Sequence, residues 1–241
     1  MMKERTKIKG FSLLEISIVL TVVAVAVGSG VMVFNKYSNE SKVSQTEFTM
    51  KQVMKAIKQY TLEYGELPCP ADITDPQSDA NFGLGVTPGT CTGAISNDNL
   101  FKGMVPVHTL NIYPSLAMDA WGNRFDYQVV QVATADDALC TPSGAGCTPK
   151  ADAGDYVDLQ NYGKTNFGSS VLVVLLSHGA NGFGAYSGRG GSQKGDTNAN
   201  VNEQANNGTA GSLFTSLPYR GFDDIVEIWT FDQLMNEDVM D

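Results

Sequence analysis

An uninterrupted apolar segment near the N-terminus limits the fold of this chain more than any other feature. Residues 11–34 read FSLLEISIVLTVVAVAVGSGVMVF, and Glu15 is the only charged residue among them. About 20 apolar residues are enough for an α-helix to cross the hydrocarbon core of a bilayer. We therefore predict a transmembrane helix over residues 11–34 and treat Glu15 as a functional candidate, because a charge within a membrane segment is costly.

The charges before this segment predict its orientation. The first ten residues contain Lys3, Glu4, Arg5, Lys7 and Lys9, a local charge of +3. Basic residues hold that end of a membrane helix in the cytoplasm, so the rest of the chain is expected to be exported. An ordinary secretory signal would be cut after the apolar run, but the helical pattern continues past Gly30.

The exported part is strongly acidic. The whole chain has a formal charge of −10, so removing the +3 of the leader gives −10 − 3 = −13 for the remainder. Non-specific binding to nucleic acids depends largely on Lys and Arg that neutralise phosphates. This balance argues against a nucleic-acid partner.

Four cysteines follow the apolar segment, namely Cys69, Cys91, Cys140 and Cys147. An even number in an exported region is typical of disulfides, and three pairings are possible. We favour Cys69 with Cys91 and Cys140 with Cys147, because each pair would close a loop that is rich in Pro and Gly. The alternatives are free thiols or a metal site, although no C-x-x-C motif occurs.

An amphipathic pattern extends the helix over residues 35–65. Apolar side chains recur at spacings of three, four and seven, at Val43, Met50, Val53, Met54, Ile57, Tyr60 and Tyr64. This periodicity predicts a helix with one buried face. Gly65 and Pro68 are expected to end it.

The remaining residues, 66–241, are predicted to form one globular domain. Runs of β-branched and aromatic residues predict strands at 125–132, 170–177 and 224–231, the second of them central in its sheet. Segments 66–100 and 178–223 are rich in Gly, Asn, Pro and Ser and are predicted to be long loops. We predict an α+β fold in which the helix packs on a small antiparallel sheet.

The sequence Gly10-Phe11-Ser12-Leu13-Leu14-Glu15, after a short basic leader, resembles the type III signal of type IV pilins and type II secretion pseudopilins. The resemblance implies that residues 1–10 are a leader, that a prepilin peptidase cuts between Gly10 and Phe11, and that Phe11 is N-methylated. It also implies a pilin-like fold, a precursor in the bacterial inner membrane with its C-terminal domain in the periplasm, and an inner-membrane assembly platform as partner. The mature subunits would form a periplasmic or extracellular filament.

The resemblance also gives Glu15 a role. Phe11 and Glu15 are four residues apart and share a helix face, and cleavage would give Phe11 a positive amine. In the resembled filaments this Glu meets the amine of a neighbouring subunit, because buried opposite charges are tolerated when they are paired. The alternative is that Glu15 reaches the membrane interface without a partner.

A second resemblance concerns calcium. The segments MDAWGNRFDYQV (118–129), SHGANG (177–182) and DDIVEIW (223–229) resemble blocks of the major pseudopilin, whose loop binds calcium. Asn181 stands where that family usually has Asp, and the loop here is longer. The candidate oxygen ligands are Asn181, Asp196, Asp223 and Asp224. The alternative is a loop held by turn hydrogen bonds, with Asp223 or Asp224 capping a strand end.

The sequence matches known enzyme motifs poorly. The two histidines are His108 and His178, and GAYSG (184–188) lacks the G-x-S-x-G spacing of a hydrolase. No G-K-[ST] phosphate loop occurs. We predict a protein that is not an enzyme and that requires no cofactor, with calcium as a candidate ligand.

The sequence thus predicts a filament subunit of a type II secretion pseudopilus or a type IV pilus. One alternative is a minor or tip pilin that acts as an adhesin or ligand-binding module through its long Gly/Asn loop. A DNA-uptake pilin is the third hypothesis, but its basic patch is missing, since cations such as Lys102 and Arg124 are scattered along the sequence.

Overall fold

A computed structural model describes most of the chain. The described residues are 10–85, 91, 95–97, 100–135, 138–143, 146–149, 157–160, 166–195, 201–206 and 222–235. They divide into two compact units, Met1–Ser41 and Lys42–Asp241. Helix α1, Leu13–Tyr64, contributes to both.

Helix α1 begins and ends close to the predicted positions. It starts two residues after Phe11 and ends at Tyr64. Gly65 follows with φ 77°, and its N–H donates to the carbonyl of Thr61 at 2.8 Å. A glycine in this left-handed conformation is a common helix end, because it has no Cβ to clash.

The first unit is an exposed apolar helix. Leu13, Leu20 and Val25 are 91%, 63% and 69% exposed, and the helix is long and apolar enough to cross a membrane. Ser17 and Thr21 donate their hydroxyls to the carbonyls of Leu14 and Ser17, each at 2.8 Å. These hydroxyls therefore need no water, as a lipid environment requires.

The second unit contains an antiparallel sheet. Its strands are β1 (Ile95–Asn97), β2 (Leu100–Met104), β3 (Asp126–Val130), β6 (Val157–Gln160), β7 (Asn166–Ser177) and β8 (Ile225–Thr230), and β4 (Cys140–Ser143) and β5 (Gly146–Pro149) form a separate hairpin. The order is β1-β2-β3-β7, and β6 and β8 also pair with β7. Short helices α2 (Val201–Asn206) and α3 (Phe231–Met235) flank β8. The fold is α+β, as predicted.

Strand β7 lies at the centre of the sheet. Val173 and Val174 pair with β3 on one edge and with β8 on the other. Buried on both sides, this strand reads as the continuous apolar run VLVVLL. The three predicted strands correspond to β3, β7 and β8, although β3 ends at Val130, where a 3-10 helix begins.

The predicted loop 66–100 is more ordered than its composition suggests. It contains β1, and Ala71 pairs with Met104 of β2 by two backbone hydrogen bonds of 2.8 and 2.9 Å. Gly103 makes this approach possible, because a Cβ there would lie 2.3 Å from the carbonyl oxygen of Ala71. A backbone that approaches so closely requires glycine.

The second half of α1 packs in the core of this unit. Met50, Val53, Met54 and Ile57 are buried in one cluster with side chains of the sheet. The buried face also includes polar residues that the pattern did not predict, Thr46, Lys58 and Thr61. The predicted member Tyr64 is instead half exposed, and its ring packs on that of Tyr60 with the centroids 4.5 Å apart.

Disulfides fix the loops after the helix. Cys69 is bonded to Cys91, as predicted. Cys140 is also disulfide-bonded, and β4 and β5 place Cys147 opposite Pro142. The side chain of Cys147 lies outside the described ones, so its predicted bond to Cys140 stays a prediction.

Candidate functional site

The predicted processing site lies just before helix α1. Gly10 and Phe11 precede the helix, and Phe11 is 77% exposed. Among the described residues, a side-chain carbon added at Gly10 would have no neighbour within 4 Å. The peptide bond between Gly10 and Phe11 precedes the first residue of the helix, and its role as a cleavage site stays a prediction.

Glu15 lies in the first turn of α1 and is exposed. Among the ion pairs of the described residues, none involves Glu15. In a membrane its carboxylate would need a cation from outside this part of the chain.

A second candidate site is a cluster of three carboxylates. Glu203 of α2 and Asp223 and Asp224, which precede β8, each offer an oxygen within 4.8 Å of the others. Glu203 and Asp224 are buried and Asp223 is half-buried. We call these three residues the acidic cluster.

Asn181 holds the acidic cluster together without adding charge. Its backbone N–H donates to Oδ2 of Asp223 at 2.8 Å, and its Nδ2 donates to Oε1 of Glu203 at 3.0 Å. Its own Oδ1 accepts the N–H of Phe183 at 2.8 Å. The backbone and side-chain N–H groups of Asn181 therefore link two carboxylates that would otherwise repel each other.

Glycine allows the turn after β7 to reach the acidic cluster. Gly179 has φ 58°, and a Cβ there would lie 2.1 Å from the carbonyl oxygen of Asp223. Only glycine tolerates both this conformation and this distance. The close approach fixes Asn181 beside Asp223.

Burial and mutual repulsion change the acidity of the cluster. Burial raises the pKa of Asp224 to about 7, although His178 and the amide of Asn206 stabilise its charged form. Burial also raises the pKa of Asp223 to about 6, and Glu203 adds to the increase. Without a counter-ion, the cluster holds its negative charge poorly near neutral pH.

These residues fit an oxygen-binding cation. Oδ1 of Asp223 and Oδ1 of Asp224 are buried and lack a hydrogen-bond partner among the described residues. Calcium binds six to eight oxygens, mostly of carboxylates, carbonyls and water. The cluster would supply three carboxylates, and a bound cation would lower the raised pKa values of Asp223 and Asp224.

A buried ionic network adjoins Asp224. Nδ1 of His178 lies 3.9 Å from Oδ1 of Asp224, and Nε2 of the same ring lies 3.3 Å from Oδ2 of Asp126. That oxygen also pairs with Nζ of Lys102 at 2.7 Å. The network thus connects β2 and β3 to the start of β8.

The charges of this network support one another. Burial alone would raise the pKa of Asp126, but Lys102 and His178 outweigh it and lower the pKa below its ordinary value. Burial would likewise lower the pKa of His178, and the hydrogen bond and charge of Asp126 raise it instead. We therefore assign His178 a structural role, since its ring is buried and paired on one side.

The Asp119 carboxylate organises the turn before β3. Oδ1 accepts the N–H groups of Trp121 and Asn123 at 3.0 and 2.8 Å, and Oδ2 accepts the hydroxyl of Ser177 at 2.7 Å. This tie joins the segments 118–129 and 177–182. The first aspartate of the D-x-W-G-N sequence is thus a structural anchor.

The structure brings three of the four predicted calcium ligands together, namely Asn181, Asp223 and Asp224. Asp196 lies outside the described residues. Sequence reasoning missed Glu203, because 19 residues lie between it and Asp223 in the sequence. Lys102, one of the cations scattered along the sequence, is buried in an ion pair.

Comparison with known protein families, curated proteins and solved structures finds no match to this chain.

Proposed function

We propose that this protein is a pilin-like structural subunit, made as a membrane-anchored precursor, cut between Gly10 and Phe11, and polymerised through helix α1. The filament is a type II secretion pseudopilus or a type IV pilus. Partners are other copies of the chain or related pilins, the prepilin peptidase and the assembly platform in the inner membrane.

One observation carries this proposal. The apolar half of α1 is exposed, whereas the other half of the same helix lies in the core of a sheet domain. Exposed Leu and Val side chains over more than four turns require lipid or other protein around them. A helix that moves from a bilayer into a bundle of identical helices meets this requirement in both states.

The experiment determines the N-terminus and the role of Glu15 together. Intact mass and N-terminal sequencing of membrane-extracted protein should show a chain that starts at Phe11 with a methylated amine. Glu15→Ala should be inserted and processed but should not form filaments, because the amine of the neighbouring copy then lacks its carboxylate.

Glu40→Ala is the matched control, since Glu40 is an exposed glutamate of the same helix that pairs with Lys36 at 3.8 Å. It should polymerise like the unaltered protein. A chain that retains residues 1–10, or one that is cut after residue 30, would refute the proposal.

Within this function we propose that the acidic cluster binds calcium. Support comes from the two buried oxygens that accept no hydrogen bond among the described residues and from the raised pKa values of Asp223 and Asp224. The cation would secure α2 to the start of β8 and so stabilise the long segment between β7 and β8. Its chemistry is structural, and no reaction passes through it.

The tip adhesin remains the alternative, and abundance separates it from a shaft subunit. A shaft subunit should be the main protein of purified filaments, whereas a tip protein should be scarce. Quantitative mass spectrometry of sheared filaments measures this ratio.

A further inference from the structure

Helix α1 has an exposed stripe on the side opposite its buried face. Phe48, Lys51, Gln52 and Lys55 follow at spacings of three, four and seven, which place them on one face. All four are exposed, and Phe48 is 62% exposed. We call these residues the basic stripe.

The basic stripe has no partner within the described part of the chain. Neither Lys51 nor Lys55 takes part in an ion pair there, unlike Lys36 of the same helix, which pairs with Glu40. Two unpaired ammonium groups beside an exposed aromatic ring suit an anionic surface that offers a little apolar area. A second copy of the chain is an anionic partner, because its formal charge is −10.

A complementary surface lies in the turn that follows the disulfide residue Cys69. Asp72, Asp75 and Asp79 fall within eight residues, and none of them forms an ion pair among the described residues. Burial raises the pKa of Asp75, and repulsion by Asp72 and Asp79 raises it further. We call these three residues the acidic turn.

Hydrogen bonds fix the backbone of the acidic turn. Arg124 is buried, and its guanidinium donates to the carbonyls of Ile73 and Asp75. Oδ1 of Asp72 accepts the N–H of Thr74 at 2.8 Å. The carboxylates are therefore presented on a fixed backbone, so little order has to be gained on binding.

We propose that the basic stripe of one copy docks on the acidic turn of a second copy, with Phe48 covered by the contact. This inference rests on the proposed filament function, which brings copies of the sheet domain side by side. Charge complementarity fixes the register between copies, and like charges oppose wrong pairings. The same stripe would repel a second basic stripe.

Cross-linking in the full chain tests the contact directly. Two variants, Lys51→Cys and Asp75→Cys, are co-expressed, each with a different tag. The native cysteines Cys69, Cys91 and Cys140 are disulfide-bonded, so the introduced thiols do not compete with them. A disulfide-linked heterodimer should form under mild oxidation, and Lys36→Cys with Asp75→Cys should give none.

Charge reversal tests the energetic role. The double variant Lys51→Glu/Lys55→Glu should reduce filament yield by about tenfold or more, because like charges then face each other. Asp75→Lys/Asp79→Lys in the same chain should restore it. Cleavage at Phe11 and membrane abundance should stay unchanged, which shows that folding and export are intact.

The outcomes separate this inference from the proposed function. If the unaltered protein forms no filaments, the proposed function fails. If filaments form, but the reversed variant polymerises normally and no heterodimer appears, the docking contact is wrong while the filament stands. If reversal abolishes filaments and the swapped variant does not rescue them, the stripe binds something other than the acidic turn, and the inference is also overturned.

Discussion

Asp126 illustrates how a single side chain can control the stability of this fold. Its carboxylate is fully buried and is shared by Lys102 and His178, which lie on different strands or at their ends. Buried charges are tolerated only when they compensate one another, and removal of one partner leaves the other without a counter-charge.

Asp126→Asn should therefore destabilise the protein by about 3–5 kcal/mol, since Lys102 and His178 lose the buried carboxylate that they share. Urea unfolding measures this loss. The exposed ion pair between Lys36 and Glu40 provides the control. Lys36→Met should leave the urea midpoint of unfolding unchanged, because exposed ion pairs contribute little to stability. A midpoint for Asp126→Asn equal to that of the unaltered protein would show that the network is not formed.

Single residues of the acidic cluster should also make the stability of the fold depend on pH. The folded pKa of Asp224 is raised from 3.8 to about 7. Between these values the folded state binds a proton that the unfolded state has lost, so stability from this group falls as pH rises from about 4 to about 7. A bound cation would offset the burial and the repulsion that raise this pKa.

We accordingly expect calcium to raise Tm more at pH 8 than at pH 5.5, because the cluster is charged at the higher pH. Asp224→Asn should abolish most of the calcium effect, and in chelator it should raise Tm at pH 8. Differential scanning calorimetry with calcium or chelator provides both readings. An equal response of the variant and the unaltered protein to calcium would exclude the cluster as the site.

At the scale of elements, helix α1 does two separate jobs. Ile57 is buried in the core with the sheet, whereas Val27 in the apolar half is 59% exposed. One half therefore packs in the core of the domain, whereas the other is exposed and is long and apolar enough to cross a membrane.

Truncation of one side chain in each half should separate these jobs. Ile57→Ala should cost about 2–5 kcal/mol of domain stability, because it removes packing and leaves a cavity. Val27→Ala should leave domain stability unchanged. Urea unfolding in detergent, followed by tryptophan fluorescence, measures both, and a similar loss for Val27→Ala would contradict this division.

The elements also show what a sequence reveals. The end of α1 at Gly65 and the strand β7 were predicted, because glycine and a continuous apolar run are strong local signals. Strand β2 reads LFKGM and was not predicted, because Lys102 and Gly103 are not typical of a buried strand. Lys102 forms a buried ion pair, and Gly103 allows a close approach of the backbone. Such roles depend on partners that are distant in sequence.

The candidate sites follow the same rule. Gly10, Phe11 and Glu15 lie in one contiguous motif, so the sequence alone is enough to predict their roles, which stay predictions. Glu203 could not, because only folding brings α2 beside Asp223. Asn181 was predicted as a ligand, whereas the structure shows its amide as a hydrogen-bond partner of Glu203.

At the scale of the whole molecule, the second unit contains its own core. Lys42–Asp241 includes the sheet, the disulfide between Cys69 and Cys91, and the buried face of α1. None of the described residues of the first unit belongs to either buried cluster.

A chain that begins at Lys42 should therefore fold in water without detergent and unfold cooperatively. It should have lost membrane attachment and polymerisation, because the proposed function assigns both to the apolar helix. Sedimentation and circular dichroism of the truncated protein measure these properties. An aggregated or unfolded product would show that the second unit requires the first for its core.

Gly103 and Gly179 have a consequence for evolution. At each position an added methyl group would collide with a backbone oxygen, of Ala71 in one case and Asp223 in the other. Surface loops can lengthen and charges can be exchanged between neighbouring positions, but these two backbone contacts leave no room for substitution. Distant relatives should therefore share this pair of glycines after most other similarity has disappeared, which makes the pair a sensitive marker for tracing descent.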